Sequence, residues 1–191
     1  MSFNWIVMFI LFGIVQCVFV LSLFIQKNKL NKHTYLIYIF SILLILQIEI
    51  FLTRSGLIKY VLSLFNISTP LIFLLGPFLY EYVLGNIKKR PYKSIIFQLL
   101  PFAFYFIYSF NFFLQSSAYK YNVVVNTFHK DWELLPVTQS FRVDPFGIQG
   151  YIVVEILTLH ILLYCILSFY KLFKNKYTLE SSQFNWLIYI S

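Results

Sequence analysis

The chain has 191 residues; 60% are hydrophobic, 21% aromatic and only 12% charged. A soluble domain of this length must present a polar exterior to water, and this composition excludes one. The net charge of +8 attracts anionic lipid and nucleic acid alike, but its Lys and Arg sit in short clusters between apolar runs, as in the connectors of a membrane protein.

Crossing ~30 Å of hydrocarbon takes about 20 helical residues. The first run, 3–25, meets that length with Asn4, Gln16 and Ser22 as its polar interruptions. It has no basic segment before it and no small-residue cleavage pattern after it, so it reads as a retained helix and not a secretory signal. Gly13 and Cys17 on it form a weak small-residue pairing face. Cys17 and Cys165 both lie in apolar runs, without metal-ligand spacing. Lys27, Lys29, Lys32 and His33 then form a basic connector, and 35–52 is a second span.

The apolar stretch 57–84 is too long for one upright helix. Pro70, preceded by Ser68 and Thr69, marks a helix start. The expectation is a short interfacial helix over 57–67 and a third span over 70–84. Gly76 and Pro77 fall inside that span. Pro77 has no N–H for the carbonyl of Phe73, which predicts a kink. Lys88, Lys89, Arg90 and Lys93 follow as the densest basic cluster. A fourth span covers 94–114 and carries Pro101, a second kink site.

The longest polar segment, 115–147, holds three of the seven acidic residues, Asp131, Glu133 and Asp144, together with Trp132 and several other aromatics. Short helices or a hairpin capping the bundle fit that mix. A fifth span covers 148–169, and a sixth apolar run begins at Trp186. Five residues cannot cross a bilayer, so that helix is expected to continue beyond Ser191.

The connectors 27–33, 86–93 and 171–185 hold ten of the fifteen Lys and Arg residues. The positive-inside rule places them in the cytoplasm, and the N-terminus and 115–147 outside. The fold class is therefore all-α: a polytopic transmembrane helical bundle of five complete spans and the start of a sixth.

No catalytic motif, phosphate loop or zinc pattern is present, and no metal or cofactor is expected. His129-Lys-Asp131 matches no acyltransferase or metal spacing. Ionisable groups inside membranes are costly and are the default functional candidates. Glu49 and Glu81 each lie about one turn from a span end, within reach of the interface. Glu155 lies about 10 Å into span five and His160 near its middle. Their five-residue separation sets them about 140° apart, on different faces. Glu155, His160, Trp132 and Glu81 are the candidate contacts for a signal or ligand. Structural polar contacts between helices are the competing assignment.

Thr69-Pro-Leu-Ile-Phe-Leu-Leu-Gly-Pro-Phe-Leu-Tyr-Glu-Tyr-Val83 resembles a helix of membrane-anchored AraC-type transcription regulators. The basic Lys88-Lys-Arg and the Leu99-Leu-Pro-Phe102 that follow match that family's order, and 181–187 resembles its entry to helix six. The resemblance implies seven membrane helices, then a cytoplasmic domain with two helix-turn-helix units. DNA contact would lie wholly in that C-terminal domain beyond residue 191. It also implies a bacterial inner membrane location, a sensory role for 1–191 and no enzymatic activity. The bilayer, a small-molecule or peptide signal and a second copy of the chain are the expected partners. Two alternatives stay open, namely the membrane sensor of a histidine kinase and a fragment of a small transporter or channel.

Overall fold

The computed structural model describes residues 5–27, 33–87, 95–137, 144, 146–148 and 150–175. The basic cluster 88–93 and the apolar run from Trp186 lie outside these residues. The described architecture is all-helical: α1 (Trp5–Lys27), α2 (Thr34–Ser55), α3 (Ser68–Ile72), α4 (Leu75–Ile87), α5 (Ile95–Gln98), α6 (Leu100–Phe113), α7 (Ser117–Phe128) and α8 (Tyr151–Lys174).

Three helices, Trp5–Lys27, Thr34–Ser55 and Ile152–Lys174, are long and apolar enough to cross a membrane. At 1.5 Å per residue each exceeds ~30 Å. Their surfaces support a membrane setting. Phe9 is 73% exposed on α1, and Leu159 is 68% exposed on α8. Exposed apolar side chains run the length of α1 and α8, a continuous surface that lipid accepts at no cost. α1 packs along α2, and α8 along α4. The small residues of α1 serve that first contact. Gly13 sits against Gln47 of α2, and the buried Cys17 thiol donates to the Phe40 carbonyl at 3.3 Å.

α2 ends at Gly56, whose φ of +78° is a left-handed cap that favours glycine. The expected helix over 57–67 does not form. Two 3-10 turns, Leu57–Tyr60 and Leu62–Leu64, replace it. Gly56 at one end and Asn66 (φ +66°) at the other, both in the left-handed region, bound the stretch. Ile58 and Phe65 from this stretch are buried against Phe112 and Val124, so packing fixes it.

The stretch expected as the third span is a bent pair of helical segments. The segment ending at Ile72 and α4 meet at 45°, and they count as a fourth crossing if taken as one span. The break lies at Phe73–Leu74, one turn before Pro77, where the missing N–H is felt. The fourth expected span is divided too. Leu99 separates α5 from α6, with Pro101 at the second residue of α6. α6 alone, at 14 residues, is ~21 Å long, short of a full crossing.

Candidate functional site

Two polar arrangements lie within the apolar bundle, one at the break between α3 and α4 and one at the end of the bundle that α7 covers.

At the break, Phe73 and Leu74 close their backbone bonds in 3-10 fashion to Pro70 and Leu71. The carbonyl of Phe73 is left over, because Pro77 sits four residues on. His160 of α8 supplies the donor, with its Nε2 3.0 Å from that oxygen. A carbonyl only accepts, so Nε2 carries the hydrogen. The imidazole is held edge-on by the rings of Phe73 (5.4 Å) and Tyr164 (5.0 Å). Beside it, Gly76 lets α8 approach α4. A Cβ there would lie 2.8 Å from Tyr164 Cδ2.

Further along α4, Glu81 is only 6% exposed. Gln98 Nε2 donates to its Oε1 at 2.5 Å. Glu81 is thus enclosed by protein and paired with a neighbouring side chain.

At the other end, α7 packs against α2 and the 3-10 turn at 62–64. It starts at Ser116, whose hydroxyl accepts the N–H of Tyr119 at 3.3 Å. Lys120, 8% exposed, turns inward and donates to the Phe113 carbonyl at the end of α6 (2.8 Å). Burial holds its ammonium below the ordinary pKa of 10.5. The chain beyond α7 is pinned to α2. His129 Nε2 lies 2.7 Å from the Thr53 carbonyl, and its ring stacks on Trp132 at 4.1 Å and 7°. Trp132 also stacks on Tyr121, and its indole fills the space a Cβ on Gly56 would need. Asp144 receives the hydroxyl of Tyr108 and the N–H of Ile148, which ties the segment to α6 just before α8.

Below α7 lies a cavity of about 910 Å³. Its floor is apolar, formed by Leu46, Ile72, Tyr105 and Leu157. Its mouth carries Arg54, Asn126, Thr127 and Lys130. Arg54 lies over the ring of Phe128, 5.2 Å from its centroid. Glu49 is on the wall, with both oxygens engaged. Oε1 accepts the Asn66 N–H at 2.7 Å and Oε2 the Ser68 N–H at 2.8 Å. Glu49 therefore does what Ser68 and Thr69 were expected to do and satisfies the start of α3.

The candidate residues do not converge on one site. His160 faces α4, whereas Glu155 is exposed on another face of α8, as their spacing requires. Because α8 begins at Tyr151, Glu155 stands about 6 Å from its end, nearer the surface than a span from 148 would set it. Trp132 anchors the α7 segment and Glu81 joins Gln98. Neither lines the cavity. Glu49, Arg54, Asn126 and Lys130 were not assigned there from the sequence. Among the described residues, no three His, Cys, Asp or Glu side chains converge as metal ligands would. Comparison of the chain with family models, curated proteins and solved structures found no match.

Proposed function

We propose that the chain is the membrane-embedded sensory domain of a one-component transcription regulator with an AraC-type DNA-binding domain beyond residue 191. In this reading α1, α2, the α3–α4 pair, the α5–α6 pair and α8 are five crossings of a bacterial inner membrane. The N-terminus and the α7 segment lie outside. The observation that carries the sensory part is the cavity under α7, because its wall includes the start of the broken span. A ligand seated there touches α2, the 66–72 segment, α7 and α8 together. It biases their relative positions to the extent that it prefers one arrangement over another. The α3–α4 break, closed by one side-chain hydrogen bond from His160, is the place where such a bias is transmitted toward the cytoplasmic ends of α4 and α8. The DNA-binding part rests on the resemblance around 69–102.

The test is made on the full-length protein in its own membrane. Crosslinking followed by recovery of bound DNA should enrich a small set of promoter fragments. Transfer of phosphate from ATP to a histidine of the chain, without DNA enrichment, would replace this reading with a kinase sensor.

A further inference from the structure

We infer that the cavity beneath α7 binds a single-chain amphiphile with an anionic head, a free medium-chain carboxylate being its simplest member. The binding claim stands on the cavity alone, and its role as the sensed signal rests on the sensory reading above.

The cavity has two chemically distinct ends. Leu46 and Arg54, both on its α2 wall, are eight residues apart, or ~12 Å along the helix axis. At the deep end the walls are aliphatic and aromatic. At the mouth Arg54 and Lys130 bring two cations, and Asn126 and Thr127 add neutral hydrogen-bonding groups. Glu49, the acidic residue among the described lining, accepts two backbone N–H groups and keeps its negative charge, so the described lining holds two cations and one anion. The described lining therefore has a net positive charge, with both cations at its exposed end, Glu49, Asn66, Ser68 and Thr69 on one wall and an apolar floor, which complements a carboxylate head on an alkyl tail. A volume of about 910 Å³ lies within the range of small-ligand pockets, about 300–1,000 Å³. The cavity is open on the α7 side, where Arg54 and Lys130 are both exposed, and along its wall at Ile50 and Val154, which are exposed as well.

The test uses full-length protein in nanodiscs of zwitterionic lipid, titrated at about pH 8, where a carboxylate is ionised. Dodecanoate, dodecanol and dodecyltrimethylammonium are the probes, and empty nanodiscs supply the partition background. The expected result is saturable binding of dodecanoate, one per chain, about tenfold tighter than dodecanol, with the cationic probe weakest. Arg54→Gln combined with Lys130→Gln should level dodecanoate with dodecanol. Both substitutions are at exposed positions, so the fold is expected to persist. Val154→Trp, on the cavity wall, should weaken all probes and gives a second variant should the first pair unfold. Equal binding of dodecanoate and dodecanol to the unmodified protein overturns the inference. So does absence of saturable binding, or a preference for dodecanoate that survives loss of both cations. Displacement of dodecanoate by phosphatidylglycerol in the disc at comparable concentration overturns the single-chain assignment. Retained binding with no change in DNA occupancy would count against the sensory reading and leave the site standing. DNA occupancy that responds to another signal, with no dodecanoate binding, would do the reverse.

Discussion

His160 Nε2 donates to the carbonyl oxygen of Phe73 at 3.0 Å, and that carbonyl is the one Pro77 deprives of its helical partner. In a bilayer no water is at hand to replace a lost donor, so the histidine makes the broken helix tolerable. Removing it as His160→Ala should cost about 1–3 kcal/mol, the usual penalty for a buried acceptor left unpaired. In a Pro77→Ala background, where residue 77 regains an N–H for Phe73, the same substitution should cost markedly less. Equilibrium unfolding in mixed micelles of the four proteins reads the coupling, which is predicted at about 1 kcal/mol or more. Strictly additive effects would mean that His160 and Pro77 do not share this carbonyl.

Gly76 is a packing requirement of the α4–α8 contact. Gly76→Ala places a Cβ 2.8 Å from Tyr164 Cδ2 and 3.0 Å from its Cβ, which forces the helices apart. A loss of about 1–3 kcal/mol is expected. Gly85, on the same helix with nothing within 4 Å of a built Cβ, is the control. Gly85→Ala should be neutral or gain up to about 1 kcal/mol from helix propensity. Thermal unfolding of the two variants in the same detergent distinguishes the positions.

Glu49 links α2 to the turn before α3, since it satisfies two N–H groups that the turn leaves open. Glu49→Ala should loosen the 66–68 turn at a cost of about 2–4 kcal/mol, with Glu49→Gln intermediate because it keeps one acceptor. Hydrogen exchange at Asn66 and Ser68 is the direct readout. Protection unchanged in Glu49→Ala would place those N–H groups on another partner.

Lys120 carries a pH signature. Burial lowers its folded pKa below 10.5, so between the folded value and 10.5 the unfolded chain holds more protons than the folded one. Stability contributed by this site therefore rises with pH through that window, and at lower pH the site is a constant cost. Its neighbour Tyr119 has the opposite sign. Burial raises its pKa above 10.0, so stability from Tyr119 falls as pH passes 10.0. Lys120→Met isolates the lysine. The difference in unfolding free energy between the unmodified protein and Lys120→Met should shift in favour of the lysine as pH rises toward 10.5. A difference that is flat with pH would contradict a buried ammonium.

The apolar runs were legible because crossing length and hydrophobicity are properties of contiguous sequence. α1, α2 and α8 appear within a few residues of where composition sets them. Pro77 marked the break, since the geometry of proline names the carbonyl it abandons. The donor that answers it lies 87 residues away and is visible only once α8 packs on α4. The same holds for Glu49. Its place one turn from a helix end reads as a carboxylate reaching for water, yet its partners are N–H groups 17 and 19 residues on. The 57–67 stretch has the length and polarity of an interfacial helix, but the left-handed residues Gly56 and Asn66 and the burial of Ile58 and Phe65 fold it as tight turns. The cavity drew its residues from five separate segments, so no local pattern announced it. Trp132 stood out as an aromatic on a long loop, and it serves to fasten α7 over that cavity.

An outside ligand reaches Arg54 and Lys130 only if α7 lies on the outer side of the membrane. With Cys17 and Cys165 replaced by Ser, single cysteines at Asp131 and at Lys174 report the two ends of the bundle. A membrane-impermeant maleimide is predicted to label Asp131→Cys in intact cells and Lys174→Cys only after permeabilisation. Labelling of Lys174→Cys in intact cells, with Asp131→Cys protected, would contradict it.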